Sequence, residues 1–322
     1  MKNNDIPAHI LAQVEKLEQK YEAMGQDLSS YLDGLLYANY LTYWDYIHLD
    51  TLLSLQNPKT DFPDEQIFII YHQITELYFK LILLEIKQVT KNEYLTEEFF
   101  TARLKRINRY LAYLVHTFEI MGEGMEKEQF LKFRMSLLPA SGFQSGQFRM
   151  IEICATDFKY LVEKNFFKQI DTHTTIEEMY EHIYWKYGAT ELATGKKTLT
   201  LKQFEDKYAE TFIKLAKEHV ENNFLRLFKR KFPHSESVKS ELRKFDALLN
   251  IDWKLAHFGS AVRYLHKEPA DIAATGGTNW QKYLPPRFQK VIFFPDLWTE
   301  QEQENWGKSW VVERFGKYNS HY

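Results

Sequence analysis

The stretch DEQIFIIYHQITELYFKLILLEIKQVT, residues 64 to 90, decides the fold class of this chain. Its apolar residues recur at steps of three and four, which is the periodicity of an α-helix. The centre of the stretch is apolar almost all round, so we expect this helix to be buried. Asp64 and Glu65 fall in the first turn, where acidic side chains interact favourably with the helix dipole.

Helical periodicity continues over most of the chain, and strand-like alternation is scarce. Besides residues 64–90, the pattern predicts helices over residues 8–36 and at about 96–119, 126–137, 143–164, 175–186, 201–230 and 235–266. VIFFP, residues 291–295, is the best strand candidate, although an extended tail fits it equally well. We therefore predict a single all-α domain over residues 1–322, with room for a small helical insertion at about 165–230.

Composition and charge exclude several classes of protein. The net charge of −3 indicates no general attraction to nucleic acid. The single cysteine, Cys154, excludes an internal disulfide and fits a reducing compartment. The N-terminus lacks an apolar signal core, and no apolar run approaches the roughly 20 residues that span a bilayer. We therefore expect a soluble cytoplasmic protein that binds neither membrane nor nucleic acid.

Common catalytic motifs are missing from the sequence. It contains no glycine-rich dinucleotide fingerprint, no Walker loop, no GxSxG and no HExxH. One cysteine cannot build a zinc knuckle or an iron–sulfur cluster. The high aromatic content, 16%, instead suggests a large apolar interior or a pocket lined by aromatic rings.

His72 lies within the apolar helix predicted over residues 64–90. Phe68, His72 and Glu76 are spaced by four and therefore share one helix face. One interpretation is a core histidine that hydrogen-bonds a backbone carbonyl or Glu76. The other is a histidine that faces a ligand.

His257 is surrounded by small residues in DWKLAHFGSAVRYL. Small side chains around a helical histidine leave room for a large flat group, and a haem with this histidine as axial ligand fits that description. Close packing between helices would explain the same small residues equally well. His266, in the more polar setting YLHKEP, is a competing candidate ligand. The small residues are Ala256, Gly259, Ser260 and Ala261.

Arg149 follows Phe148 in the apolar segment SGQFRMIE. A buried arginine is costly unless it is paired, and its planar guanidinium suits two-point binding of a carboxylate. The alternative is a salt bridge to Glu152 or to another acid.

Taken together, these segments resemble the tryptophan 2,3-dioxygenase family. Ordered motifs over most of the chain carry the resemblance: LTYWDYIHLDTLLSLQNP (41–58), DEQIFIIYHQITELYFKL (64–81), FRMSLLPASGFQSGQFRMIE (133–152), WKLAHF (253–258) and ATGG (274–277). The resemblance implies an all-α helical bundle that encloses a b-type haem. It also implies a homotetramer in which N-terminal segments are exchanged and complete a neighbour's pocket.

The implied activity is the cleavage of the indole C2–C3 bond of L-tryptophan by O₂, with ferrous haem b as cofactor. The product would be N-formylkynurenine, and the reaction would be the first step of tryptophan degradation by the kynurenine route. His257 matches the axial ligand of the haem iron, and His72 the histidine that hydrogen-bonds the indole N–H. Phe68 matches the aromatic wall under the indole.

The resemblance also supplies residues for the amino-acid part of the substrate. Arg149 matches the residue that binds the carboxylate. Thr275, with its glycine loop, matches the group that contacts the ammonium and the carboxylate. Tyr43 and Tyr46 match pocket tyrosines, at least one of which comes from a neighbouring subunit.

The sequence departs from the family pattern mainly at the substrate loop. The family usually has TGGSSG where this chain reads TGGTNW, and Tyr78 replaces a usual tryptophan. The spacing from His257 to Thr275 is also a few residues longer than in the family. Three alternatives stay open: a haem monooxygenase of the same superfamily that acts on a modified tryptophan or a tyrosine, a haem- or tryptophan-binding protein without turnover, and a helical scaffold without haem.

Overall fold

The computed structural model describes residues 6–37, 42–137, 144–190, 196–265 and 290–307. These residues form helices and no strand, which confirms the all-α prediction. The chain divides into two compact units, Met1–Gln56 and Asn57–Tyr322. The prediction of one domain with an insertion at about 165–230 is not tested by this division.

The described residues of the first unit form four helices: α1 (Ala8–Ala23), α2 (Leu28–Tyr37), α3 (Tyr43–Tyr46) and α4 (Leu49–Leu53). The helix predicted over residues 8–36 is broken at Gly25, whose φ of +65° is in the left-handed region that suits glycine. None of the described residues of this unit is buried. Its apolar side chains are exposed instead, with Leu35 at 70% and Leu36 at 79%. The described residues of this unit therefore form no core of their own.

The second unit begins with two long helices, α5 (Pro63–Thr90) and α6 (Glu97–Glu123), which pack on each other. Pro63 occupies the first position of α5, where its missing N–H costs nothing. The Thr96 side chain caps α6 by accepting a hydrogen bond from the Phe99 N–H. The shorter helices that follow are α7 (Lys127–Phe133), α8 (Gly146–Ala155), α9 (Lys164–Phe167) and α10 (Ile176–Glu181).

Five further α-helices complete the described part: α11 (Leu199–Glu218), α12 (Phe224–Lys231), α13 (Glu236–Ala247), α14 (Trp253–Leu265) and α15 (Glu300–Glu304). The helix predicted at about 201–230 is divided because the Asn223 side chain caps a new helix, α12. The helix predicted at about 235–266 is interrupted by a π-helical turn, Leu248–Asp252, between α13 and α14.

The strand candidate at residues 291–295 is not a strand. Phe293 and Phe294 are fully buried, and their N–H groups donate to the Asp246 carboxylate at 3.1 and 3.2 Å. The segment alternates like a strand, but its backbone is satisfied by a side chain from α13 rather than by a neighbouring strand.

The helix α5 is long and apolar enough to cross a membrane by these two measures alone. In the structure it packs against α6, α7 and α8, and its buried residues include Glu65 and Glu85. Both carboxylates are satisfied: Glu65 accepts the N–H groups of Lys59 and Thr60, and Glu85 pairs with Arg106 at 2.8 Å. These contacts bury one face of α5 in the core of the second unit. Leu77, Leu81 and Leu84 are exposed on another face, so the expectation that the whole helix is buried is wrong.

Candidate active site

The structure brings His72 of α5 and His257 of α14 into one network of aromatic rings. The ring of Phe68 lies 4.1 Å from that of His72, centre to centre. Phe118 of α6 stacks on His257 at 5.8 Å with an angle of 22° between the rings. Tyr71 contacts both His72 and Phe118, at 5.4 and 5.8 Å. The two histidines therefore face the same aromatic cluster from two different helices.

The tautomer of His72 follows from a single hydrogen bond. Its Nδ1 lies 2.7 Å from the backbone carbonyl oxygen of Phe68. Because a carbonyl only accepts, Nδ1 carries the proton and Nε2 is left as an acceptor. Burial lowers the pKa of His72 below its usual value, although the Phe68 bond and the charge of Glu76 act in the opposite direction. The imidazole is therefore neutral at pH 7.

The hydrogen bond from His72 to the Phe68 carbonyl is the one that we expected if His72 were a core histidine. It does not exclude a ligand, because the bond uses only Nδ1. Glu76, the other partner considered, instead accepts a hydrogen bond from the Gln147 side chain at 2.8 Å.

The environment of both histidines is a recess rather than a convex surface. His72 is solvent-exposed, yet protein atoms around it are dense enough to lower its pKa. His257 is partly exposed, and burial, with a smaller effect of the His72 charge, lowers its pKa to about 4. A side chain that is both accessible and poorly hydrated lies in a concavity. Every residue of α14 from Ala256 to Val262 is partly exposed in the same way.

Arg149 lies in a buried polar cluster. Its Nη1 donates to Glu152 Oε2 and to the Tyr184 hydroxyl, both at 2.7 Å. The Tyr184 hydroxyl donates in turn to Glu152 Oε1. Burial disfavours the charged form of Arg149 and acts to lower its pKa. Glu152 and Tyr184 stabilise the charged form more strongly, so the pKa of Arg149 is raised above its usual value. The salt bridge to Glu152 that the sequence offered as the alternative is therefore present.

A second buried arginine was missed in the sequence. Arg134 follows α7, is 6% exposed, and has its pKa lowered by burial. The preceding residue, Phe133, packs edge-on against Phe68 at 5.8 Å. The backbone of Arg134 is thus directly bonded to a residue of the aromatic cluster around His72. The contacts of Arg149 are instead with α8 and with the turn that carries Tyr184 and Trp185. The signal of Arg134 in the sequence is an arginine directly after Phe133 in the largely apolar segment FLKFRMSLL, which also contains Lys132.

The remaining predicted site residues lie elsewhere or outside the described residues. Tyr43 and Tyr46 belong to α3 in the first unit, where they are 71% and 74% exposed. Thr275 and the competing ligand His266 fall outside the described residues. The structure therefore brings together Phe68, His72 and His257.

The chain is similar to known proteins over most of its length. The family model described as tryptophan 2,3-dioxygenase matches residues 35–247. Among curated proteins, the tryptophan 2,3-dioxygenase of Ruegeria sp. strain TM1040 is 28% identical over 282 residues, covering 82% of this chain and 92% of the relative. That of Herpetosiphon aurantiacus is 30% identical over 266 residues, covering 80% and 96%. That of Polaromonas naphthalenivorans is 25% identical over 263 residues, covering 80% and 90%.

Proposed function

The chain belongs to the tryptophan 2,3-dioxygenase family, and from this premise we propose that it cleaves the indole C2–C3 bond of L-tryptophan with O₂ to give N-formylkynurenine. One observation carries the proposal: a neutral His72 presents a free Nε2 acceptor in the recess that also contains His257. An indole N–H is a donor only, so this acceptor matches the ring that the reaction opens.

Haem b is the cofactor that the proposal requires, and the residues around His257 fit it. An axial ligand must be a neutral imidazole, and the lowered pKa of His257 keeps it neutral at pH 7. Ala256, Gly259, Ser260 and Ala261 are all partly exposed, so this part of α14 is accessible and presents four small side chains around His257. When bound, ferrous haem would supply the iron chemistry that activates O₂.

The chain's own residues would orient the substrate. His72 Nε2 would accept the hydrogen bond from the indole N–H and so fix the direction of the ring. Because the indole N–H is a very weak acid and the pKa of His72 is lowered, we infer that His72 orients the substrate rather than deprotonating it. Phe68, whose ring lies 4.1 Å from that of His72, would form the apolar wall under the indole.

The carboxylate of the substrate requires a cation, and a guanidinium suits it best; among the described residues two arginines, Arg134 and Arg149, are buried. The resemblance assigns this role to Arg149, whose Nη1 is already held by Glu152 and Tyr184. Arg134 adjoins Phe133 in the aromatic cluster around Phe68. The contacts therefore favour Arg134 as the carboxylate-binding residue and a structural role for Arg149. Thr275 is proposed from the resemblance alone to contact the ammonium and the carboxylate.

We also propose a cytoplasmic homotetramer in which the first unit serves a neighbouring subunit. The unit buries none of its described residues, and α3 exposes Tyr43 and Tyr46. On the second unit, Leu77, Leu81 and Leu84 of α5 are exposed and lie on one helix face. Groups of exposed apolar side chains are typical of surfaces that bind another protein chain. The tyrosines would then reach the pocket of a neighbour.

Turnover of two substrates tests the proposal. Haem-loaded, reduced protein is mixed with air-saturated buffer and either L-tryptophan or 1-methyl-L-tryptophan, and the products are separated by chromatography. We expect N-formylkynurenine from L-tryptophan and much slower turnover of the methylated compound, which has no N–H to donate to His72. Protein that binds haem and tryptophan but forms no product would instead be a binding protein. The altered loop TGGTNW favours, as second candidate, a haem monooxygenase of the same superfamily that acts on a modified tryptophan or a tyrosine.

A further inference from the structure

Lys254 is a buried cation that the proposed reaction does not use. It is 7% exposed and lies in the first turn of α14, three residues before His257. Its Nζ is shielded from solvent and makes no hydrogen bond to any residue in the part of the chain that the structure describes. A buried ammonium without a hydrogen-bonding partner is costly, so its presence calls for an explanation.

The surroundings of Lys254 stabilise its charge only partly. Its Nζ lies 5.3 Å from the centre of the Tyr184 ring, a distance at which the ring face attracts a cation. Of the charged groups around it, Glu152 of α8 and Asp246 of α13 favour the protonated form, and Arg149 of α8 opposes it. Glu152 is shared, because it already pairs with Arg149 at 2.7 Å.

The charge of Lys254 is therefore not neutralised by a contact. Arg149 and Glu152 cancel each other as a pair. The Asp246 carboxylate is held by the Asn250 side chain, by two backbone N–H groups and by the Trp298 indole at 2.8 to 3.2 Å. These donors are neutral, so Asp246 keeps its negative charge above its pKa of about 6. Lys254 is three residues from His257 and Asp246 is eleven, so the lysine carries the nearer charge along the helix. In a poorly hydrated interior, Coulomb interactions act over longer distances than in water.

Helix α14 places the charge of Lys254 close to His257, the candidate haem ligand. Three residues along an α-helix correspond to a rise of about 4.5 Å, so Lys254 and His257 are one turn apart. Trp253, between the polar cluster and the recess, packs on Phe118 at 4.6 Å, and Phe118 stacks on His257. The first turn of α14 is thus fixed by packing, and the lysine cannot leave without disturbing it.

We propose that Lys254 is a positioning residue of the haem site, whose buried positive charge, held beside Tyr184 and Glu152 one helical turn before His257, favours the ferrous over the ferric state of a haem bound there. This inference rests on the proposed function. A nearby cation opposes the gain of positive charge when the iron is oxidised and so raises the reduction potential. Ferrous iron is the state that the proposed reaction with O₂ requires.

A pH dependence accompanies this role. Burial lowers the pKa of Lys254 to about 8. Its charge, and with it the stabilisation of the ferrous state, is present below this pKa and is lost as the pH rises through it. The facing groups do not titrate there, because the pKa of Asp246 is about 6 and burial raises that of Tyr184 far above the usual value.

The test is a spectroscopic redox titration of haem-loaded protein at pH 7 and pH 9. Lys254→Met, which keeps the side-chain length without the charge, should lower the ferrous-to-ferric ratio on the order of tenfold at pH 7, a shift of about 59 mV for one electron. In the wild-type protein the reduction potential should fall between pH 7 and pH 9. In Lys254→Arg the potential should be unchanged at pH 7 and should not show this fall, because the guanidinium stays charged. Lys254→Gln provides a second neutral variant if the methionine variant does not fold.

Lys186 supplies a matched control. It is equally buried and lies 3.8 Å from the Tyr180 ring, but its charge is paired with Glu205 at 2.7 Å. Lys186→Met should destabilise the fold and leave the potential unchanged. If neutral variants of Lys254 bind haem fully at an unaltered potential, the inference is wrong while the proposed function stands. If the wild-type protein binds no haem, or binds it without His257, both are wrong.

Discussion

At the residue scale, His72 acts through the nitrogen that its helix leaves free. The Phe68 carbonyl oxygen accepts a hydrogen bond from the Nδ1–H of His72, with 2.7 Å between Nδ1 and the oxygen, so any ligand meets an acceptor at Nε2. Replacing His72 by alanine should lower kcat/KM for L-tryptophan about fivefold, since a lost hydrogen bond of this kind costs on the order of 1 kcal/mol. The measurement is steady-state kinetics on L-tryptophan and 1-methyl-L-tryptophan.

The control for His72 is His219, whose Nδ1 makes the same type of helical bond to the Leu215 carbonyl, at 2.9 Å. His219→Ala should leave kinetics unchanged. An equal loss of rate on both substrates in His72→Ala would contradict the proposed hydrogen bond, because the methylated substrate cannot make it.

We expect replacement of the two buried arginines to have different effects, one on substrate binding and the other on stability. Arg134→Met should raise KM for L-tryptophan but not for tryptamine, which has no carboxylate. Arg149→Met should destabilise the protein by about 3–5 kcal/mol, because it leaves the Glu152 carboxylate buried without its cation. Substrate kinetics and urea unfolding of both variants separate the roles. If instead Arg149→Met distinguishes tryptophan from tryptamine at unchanged stability, Arg149 binds the carboxylate.

What the sequence reveals about single residues depends on how local the contact is. Arg149 and Glu152 are three residues apart on one helix, so their salt bridge could be foreseen. Tyr184, the other partner of Arg149, comes from a turn far along the chain and had no signal in the sequence. His72 and His257 were found through motifs, whereas their meeting across α5, α6 and α14 depends on packing that no local pattern encodes.

At the scale of elements, the register of α14 is set by the π-helical turn Leu248–Asp252. Asp246 bridges this turn by accepting a hydrogen bond from Asn250 at 2.8 Å, and it fixes the returning segment through Phe293 and Phe294. Such turns are rare and often lie near functional sites. Helical periodicity predicted one continuous helix here, because a π-turn arises from tertiary anchoring rather than from local preference.

Asp246 gives this element a pH-dependent stability. Burial raises its pKa to about 6, above the usual value near 3.8. The folded state therefore binds the proton more tightly than the unfolded state, so the stabilisation is full below pH 4 and is lost as the pH rises to about 6. The loss amounts to about 3 kcal/mol for a shift of this size.

Chemical denaturation at several pH values tests this prediction. Asp246→Asn should remove the component of the stability curve between pH 4 and 6, so the difference between wild type and variant should change with pH across that window. A constant difference would mean that Asp246 has the same pKa in the folded and unfolded states.

At the scale of the whole molecule, the exposed apolar side chains of the first unit have no explanation within a single chain. Replacing both Leu35 and Leu36, exposed on α2, by aspartate should lower the oligomeric state without lowering the stability of the second unit. Light scattering coupled to size exclusion gives the mass. Leu199→Asp is the control, since that leucine is also 70% exposed but belongs to α11 of the second unit. An unchanged tetramer in the α2 variant, or a monomeric wild type, would contradict the exchange of N-terminal segments.

The central claim is that both atoms of one O₂ molecule enter the indole ring of tryptophan, and the most direct measurement is the mass of the product formed from ¹⁸O₂. Haem-loaded, reduced protein is mixed with L-tryptophan under labelled oxygen, and the product is weighed by mass spectrometry. The account predicts N-formylkynurenine with two labelled oxygen atoms. A product with a single labelled atom would contradict it and would identify the chain as a monooxygenase on the same scaffold.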